Sequence, residues 1–250
     1  MPRIFIPDII PGKDQIKISD EKARYLRTVL RCKTGDQIIV NDDKGNSYTA
    51  RITGATGKEI TAEIIEKIFP NPESFLNITF LQGILKGDRM DLVIQKATEL
   101  GVMEIIPVVT ERSQIRETKK LPRWRKIAEE ASKQSGRTAI PVVHEVMNFQ
   151  KLFSGSDTIK DTGIIFWEKG GESLTDVFGA LGDIDRIKLF TGPEGGFSEK
   201  EVNIASERGF KVATLGKRIL RAETAAIAAL SIVQYELGDL GGVDLTGSKI

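Results

Sequence analysis

The chain has one cysteine, Cys32, and one histidine, His144, among 250 residues. With no second cysteine there can be no internal disulfide, which suits a reducing compartment and gives the expectation of a cytoplasmic protein. No histidine lies near Cys32 in sequence to activate it, so it reads as a small packing residue and not a nucleophile. One histidine excludes a histidine-rich metal centre, and a Ser-His-Asp triad would have to rest on His144 alone. The context PVVHEVM places that histidine on a strand or its edge. No apolar run approaches the roughly 18 to 20 residues of a membrane span. The opening MPRIFIPDII is broken by Arg3, Pro7 and Asp8 and has no signal-peptide core, so neither membrane nor export is expected. Nor is there an excess of one charge: a net charge of +1 argues against a polybasic tail, so any nucleic-acid surface must come from local arrangement.

What is present fits two ordinary folded domains, with 40% hydrophobic and 28% charged residues. Residues 1–72 read as short β segments, RIFIP, QIKIS, QIIVND, SYTARI and EITAEIIEKI, of the kind that make a small barrel. One helix interrupts them, opening at Ser19 as N-cap with Asp20 and Glu21 in its first turn and running to Arg31. On it Arg24, Arg27 and Arg31 fall at i, i+3 and i+7, a basic stripe whose plain reading is a solvated face. Pro70, Asn71, Pro72 and Glu73 mark a joint, and from residue 73 to 250 strand-like and helical runs alternate. That alternation is the signature of an α/β domain with a parallel sheet.

Two segments of this second region carry chemistry. LFTGPEGGFSEKE (189–201) runs from an apolar strand through glycines into a helix near Ser198, and TLGKRILRAETAA (214–226) again joins a strand to a helix. Neither is a G-x-G-x-x-G fingerprint or a P-loop, and a plain tight turn would explain either one alone. Two such loops at the carboxyl ends of nearby parallel strands are where an open α/β sheet places its ligand. The strand-loop-helix pattern by itself would also permit a Rossmann-type nucleotide-binding enzyme.

These two loops, with RMDLVIQKATELGV (89–102), EIIPVVTERS (104–113), WRKIAEEASKQSGR (124–137) and the opening PRIFI, resemble the RsmE family of SPOUT methyltransferases. The resemblance covers essentially the whole chain. It implies a PUA-like, RNA-binding β barrel over 1–72 and a SPOUT α/β domain with a trefoil knot over 73–250. It further implies S-adenosylmethionine as methyl donor and N3 of a uridine in small-subunit (16S) ribosomal RNA, naked or in the assembled subunit, as acceptor. The cofactor would be held by Leu189, Thr191, Gly192, Pro193, Glu194, Gly195, Leu215, Gly216, Ile219, Leu220, Arg221 and Thr224. The chain departs from the commonest family pattern at Ala222, where threonine is usual, and at Thr191, where an aliphatic is usual.

Methylating N3 requires an unpaired or flipped base and somewhere for its proton to go. Glu194, Glu223 and Glu99 are the candidate acceptors, with Arg221 as a cation to stabilise the imide anion. Arg3, Arg24, Arg27 and Arg31, with Arg89, Arg112 and Arg137, are the candidate RNA contacts. The small residues Ala225, Ala226, Ala228 and Ala229 on the last helix suit either packing within the chain or the homodimer usual for SPOUT enzymes. A non-catalytic ribosome-binding or assembly factor that keeps the same fold is the competing reading.

Overall fold

The β-branched N-terminal segments form strands β1 (Arg3–Phe5), β2 (Gln15–Ser19), β3 (Gln37–Asn41), β4 (Ser47–Ala55) and β5 (Glu59–Lys67). They are seen in a computed structural model that describes residues 1–6, 9, 15–42, 45–56, 58–69, 71–154 and 162–242. Pro70, one of the residues marking the joint, and Pro7 and Asp8 lie outside the described residues. By its internal contacts the chain divides into two units, Met1–Glu73 with Ser132–Ile140, and Ser74–Ala131 with Pro141–Ile250.

In the first unit the sheet order is β1-β3-β4-β5-β2, with only the β1–β3 pair parallel. β1 and β2 are its edges, with no ladder between them among the described residues. Yet Ile4 of β1 and Ile16 and Ile18 of β2 enter one apolar cluster with Ile38, Val40, Ile52 and Ile60, so the sheet must curl around it. Leu26, wholly buried, closes the cluster from the helical segment, and Cys32 packs against it half-buried. Burial, and secondarily the charge of Asp36, pushes the Cys32 thiol up, away from the reactive thiolate.

The helical segment differs from the sequence expectation. Ser19 stands at the N-cap position of α1 (Asp20–Arg24) without a capping bond to the backbone, and its hydroxyl turns to Asp20 Oδ2 at 3.2 Å. A π-helical turn, Tyr25–Val29, follows, and the helix ends there and not at Arg31, which takes a left-handed φ of 55°. The wider turn changes the angular spacing, so Arg24, Arg27 and Arg31 do not form the regular stripe of an α-helix.

Residues 132–140 belong with this unit through polar contacts. Asn41 Nδ2 donates to the Arg137 carbonyl at 2.8 Å, and the Arg3 guanidinium donates to the Gly136 carbonyl. Glu73 Oε2 pairs with Arg137 Nη2 at 2.7 Å, while its other oxygen accepts from the backbone of Thr138 and Ala139.

The second unit alternates β6 (Asn77–Gly83), α2 (Arg89–Glu99), β7 (Glu104–Val109) and α3 (Leu121–Ser135), the last turn of which, from Ser132, counts with the first unit. It continues with the fragments β8 (Val142–Val143) and β9 (Met147–Asn148), α4 (Phe149–Phe153), β10 (Gly163–Phe166) and α5 (Leu174–Leu181). It ends with β11 (Arg186–Thr191), α6 (Glu199–Glu207), β12 (Phe210–Ala213) and α7 (Ala222–Glu236). All ladders are parallel, in the order β12-β10-β11-β6-β7-β8, with β9 also on β7. Phe190, Phe197, Phe153, Phe149 and Phe210 form the aromatic core on one side. His144 follows β8, and its Nε2 lies 2.8 Å from Glu104 Oε2 at the partly exposed sheet edge.

Candidate active site

Three adjacent strands, β10, β11 and β12, end on the same side of the sheet because all run parallel. The residues that follow them enclose one cavity of about 270 Å³. Its walls are Phe166 at the end of β10 with Trp167 and Glu168 beyond it, Gly192 to Phe197 after β11, and Thr214 to Gly216 with Arg218, Ile219, Leu220, Ala222 and Ala225 after β12. α6 starts just beyond the first glycine loop. Ser198 accepts from Glu201 N–H while Glu201 Oε2 accepts from Ser198 N–H, a reciprocal cap that fixes where the loop stops.

Glycine is required where the loops touch their supports. A Cβ at Gly83 would lie 2.5 Å from Pro193, and one at Gly195 would lie 2.9 Å from Arg112 Cβ. Gly196 has a φ of 67°, and a Cβ there would stand 2.8 Å from Glu168 Oε1. Beneath the loop, wholly buried Gln82 donates from Nε2 to the carbonyls of Gly83 at 2.8 Å and Gly192 at 3.2 Å.

A charged cluster borders the cavity. Glu194 Oε1 accepts from Lys86 N–H at 2.9 Å and from Arg89 Nη1 at 3.2 Å, and Arg89 Nε reaches Glu223 Oε1 at 4.0 Å. The second oxygens of both carboxylates, Glu194 Oε2 and Glu223 Oε2, are buried without a hydrogen-bond partner, as is the indole N–H of Trp167. Such groups are costly to bury unsatisfied, and they are the ones a bound molecule would satisfy.

Of the residues expected at a cofactor site, Gly192, Pro193, Glu194, Gly195, Leu215, Gly216, Ile219 and Leu220 line this cavity. Leu189, Thr191, Arg221 and Thr224 do not. Leu189 and Thr191 are buried within β11, while Arg221 is the exposed N-cap residue of α7 and Thr224 is exposed on that helix. Glu99 also lies elsewhere: it pairs with Lys96 at 2.7 Å, ten residues along α2 from Arg89, roughly 15 Å at the helical rise.

Comparison with known proteins then decides the family. Residues 72–234 match the family model described as an RNA methyltransferase domain, and residues 18–65 match the RNA methyltransferase PUA domain. The chain is 32% identical over 234 residues to the ribosomal RNA small subunit methyltransferase E of Bacillus subtilis, covering 90% of this chain and 91% of that protein. The chain belongs to the ribosomal RNA small subunit methyltransferase E family. Among solved structures it resembles the family member from Neisseria gonorrhoeae bound to S-adenosyl methionine, with a TM-score of 0.86 and 37% identity over 96% of this chain and 99% of that one. It also resembles a Legionella pneumophila methyltransferase in complex with the same cofactor, with a TM-score of 0.84 and 33% identity over 95% and 98% of the two chains.

In this family member the basic residues singled out from sequence divide into separate groups. Arg89 and Arg112 are at the cavity rim, the latter donating to the Gly195 carbonyl at 3.3 Å. Arg137 is 4% exposed and turned inward to Glu73, and half-buried Arg3 is likewise bonded within its own unit. Arg24, Arg27 and Arg31 are exposed. Sequence reasoning missed Phe166, Trp167, Glu168, Gly196, Phe197, Thr214, Arg218, Ala222 and Ala225 as lining residues. The run TGIIFWEKGG held the available clue, since a third strand ending beside two glycine loops belongs to the same crevice.

Proposed function

We propose that this chain transfers a methyl group from S-adenosylmethionine to N3 of a uridine in small-subunit (16S) ribosomal RNA. The observation that carries the reading is the convergence of the 192–197 and 214–222 loops on one cavity, in a chain of this family. The residues fit the cofactor. Phe166, Leu215, Ile219 and Leu220 offer apolar surface to a purine, and the glycines let backbone groups approach a ribose. Glu168 and Glu194 bring negative charge to a ligand that carries a sulfonium and an ammonium.

When bound, S-adenosylmethionine supplies an electrophilic methyl carbon on sulfur. The chain's own contribution is to hold the acceptor in line at about 3–3.5 Å and to take the imide proton. Glu194 is assigned as the proton acceptor, because Lys86 N–H and Arg89 occupy one carboxylate oxygen and the other is buried and available. Glu223 shares Arg89 with it and holds that guanidinium in place, while Arg221, exposed at the start of α7, stabilises the developing negative charge on the base. We read residues 1–72 as the RNA-gripping domain, joined by Glu73 and 132–140, and the remainder of 73–250 as the catalytic domain, whose glycine loops we read as the crossing of a trefoil knot. The enzyme acts in the cytoplasm as a homodimer.

Calorimetry with S-adenosylmethionine, followed by labelled-methyl transfer to 16S RNA or small subunits lacking the modification, tests this. The expected result is micromolar binding at about one cofactor per chain with label in RNA. Binding without label would favour the assembly-factor reading.

A further inference from the structure

Arg31 occupies a backbone position that glycine ordinarily takes. The π-helical turn Tyr25–Val29 ends at Leu30, whose N–H returns to the Tyr25 carbonyl at 3.1 Å, and Arg31 then turns left-handed at φ 55°. This lets Cys32 N–H reach back to the Leu26 carbonyl at 2.9 Å, closing the helix end. A left-handed residue just past a helix is usually glycine because a Cβ there crowds the backbone. The chain instead carries an arginine whose guanidinium, among the described residues, has no hydrogen-bond or ion-pair partner.

The surroundings give that side chain a use. From Lys22 to Lys33 the sequence holds five cations, Lys22, Arg24, Arg27, Arg31 and Lys33, and no carboxylate. Arg27 is committed to the Thr56 carbonyl at 2.6 Å, whereas Arg31 stands beside Val29, 63% exposed, and Leu30, 36% exposed. Exposed aliphatic side chains next to an arginine at the end of a π-turn are poor solvent surface, and strained residues and π-turns concentrate at functional positions.

We propose that Val29, Leu30 and Arg31 form a docking tip for RNA, with Arg31 clamping a phosphate and the aliphatic pair packing on an unstacked base. The strained backbone is retained because glycine would remove the clamp. This rests on the RNA-methylating reading above and narrows it to one contact in the N-terminal unit. The local charge selects RNA over a basic ribosomal protein.

The test measures RNA affinity, its salt dependence, melting temperature and S-adenosylmethionine affinity for Arg31→Gly, Arg31→Asn and Val29→Ser. Arg31→Gly should raise the melting temperature by about 2–4 °C. It should also weaken 16S RNA binding about tenfold and lower the salt slope by about one. Arg31→Asn, which tolerates the left-handed backbone, should lose the same RNA affinity, and Val29→Ser should lose affinity with the slope unchanged. Cofactor affinity should hold in all three. Unchanged RNA binding in both Arg31 variants overturns the proposal, as does a loss seen with assembled subunits but not with protein-free RNA, which would make the partner a ribosomal protein. A wild-type chain that binds cofactor but no RNA overturns the functional reading along with it.

Discussion

Thr191 Oγ1 donates to Gln82 Oε1 at 2.7 Å, joining β11 to β6 at the point where β11 gives way to the glycine loop. Both side chains are buried, Gln82 wholly and Thr191 to 1% exposure, and Gln82 spends its amide on the Gly83 and Gly192 carbonyls. The threonine, at a position where the resemblance leads one to expect an aliphatic residue, therefore has a partner that explains it. Thr191→Val should leave the Gln82 oxygen unsatisfied, destabilising the chain by about 1–3 kcal/mol. It should also lower kcat/KM for the cofactor by about tenfold to a hundredfold through loop misplacement. Thr191→Ser keeps the hydroxyl and should restore both, as read by urea unfolding and steady-state kinetics.

Glu194→Gln tests the proton acceptor. Methyl transfer at saturating cofactor should fall by about a hundredfold to ten-thousandfold, well beyond the few-fold loss of cofactor affinity expected from removing one of the two lining carboxylate charges. Glu99→Gln, which only breaks a half-exposed pair with Lys96, should transfer methyl at the wild-type rate. Single-turnover assays at saturating cofactor distinguish the two.

Gly83→Ala tests the close packing beneath the pocket, since its Cβ would fall 2.5 Å from Pro193. The clash cannot be relieved without moving the 192–195 loop and should cost about 1–3 kcal/mol in stability. Cofactor binding by calorimetry should be lost, while RNA binding, which the reading assigns to the other unit, persists.

The Glu73–Arg137 pair makes the first unit acid-sensitive. Burial pushes the Glu73 carboxyl up, but the Arg137 guanidinium and the N–H groups of Ala139 and Thr138 outweigh it and hold it below the usual range. A folded-state value below the unfolded one stabilises the fold above about pH 4.3, and that contribution disappears as pH falls through the depressed value. Glu73→Gln strands the Arg137 charge and should cost about 3–5 kcal/mol at pH 7. The difference from wild type should shrink in urea titrations as pH drops below about 4.

The strands and long helices were legible in the sequence because period-two and period-3.6 patterns are local. β8 was read only as the strand edge at PVVHEVM, and β9 and α4 gave no such signal: two residues of strand and five of helix are too short to show a period. The attachment of 132–140 to the first unit was invisible for another reason. Its bonds, Arg3 to Gly136 and Glu73 to Arg137, span separations of 133 and 64 residues, and nothing local in a helix-forming run announces a distant carboxylate. The π-turn was missed because its residues fit an α-helix equally well, and only tertiary burial of Leu26 fixes the register. At the pocket, the glycine loops were readable as motifs. The inward turn of Thr191 and the contribution of Phe166 to Glu168 depend on which strands become neighbours, which no single segment encodes.

The most direct measurement of the central claim is nucleoside mass spectrometry. Unmodified small subunits would be incubated with the purified chain and methyl-labelled S-adenosylmethionine, then digested to nucleosides. The account predicts label in 3-methyluridine from 16S RNA, abolished by Gly83→Ala. Label in any other nucleoside, or none while the cofactor binds, would contradict it.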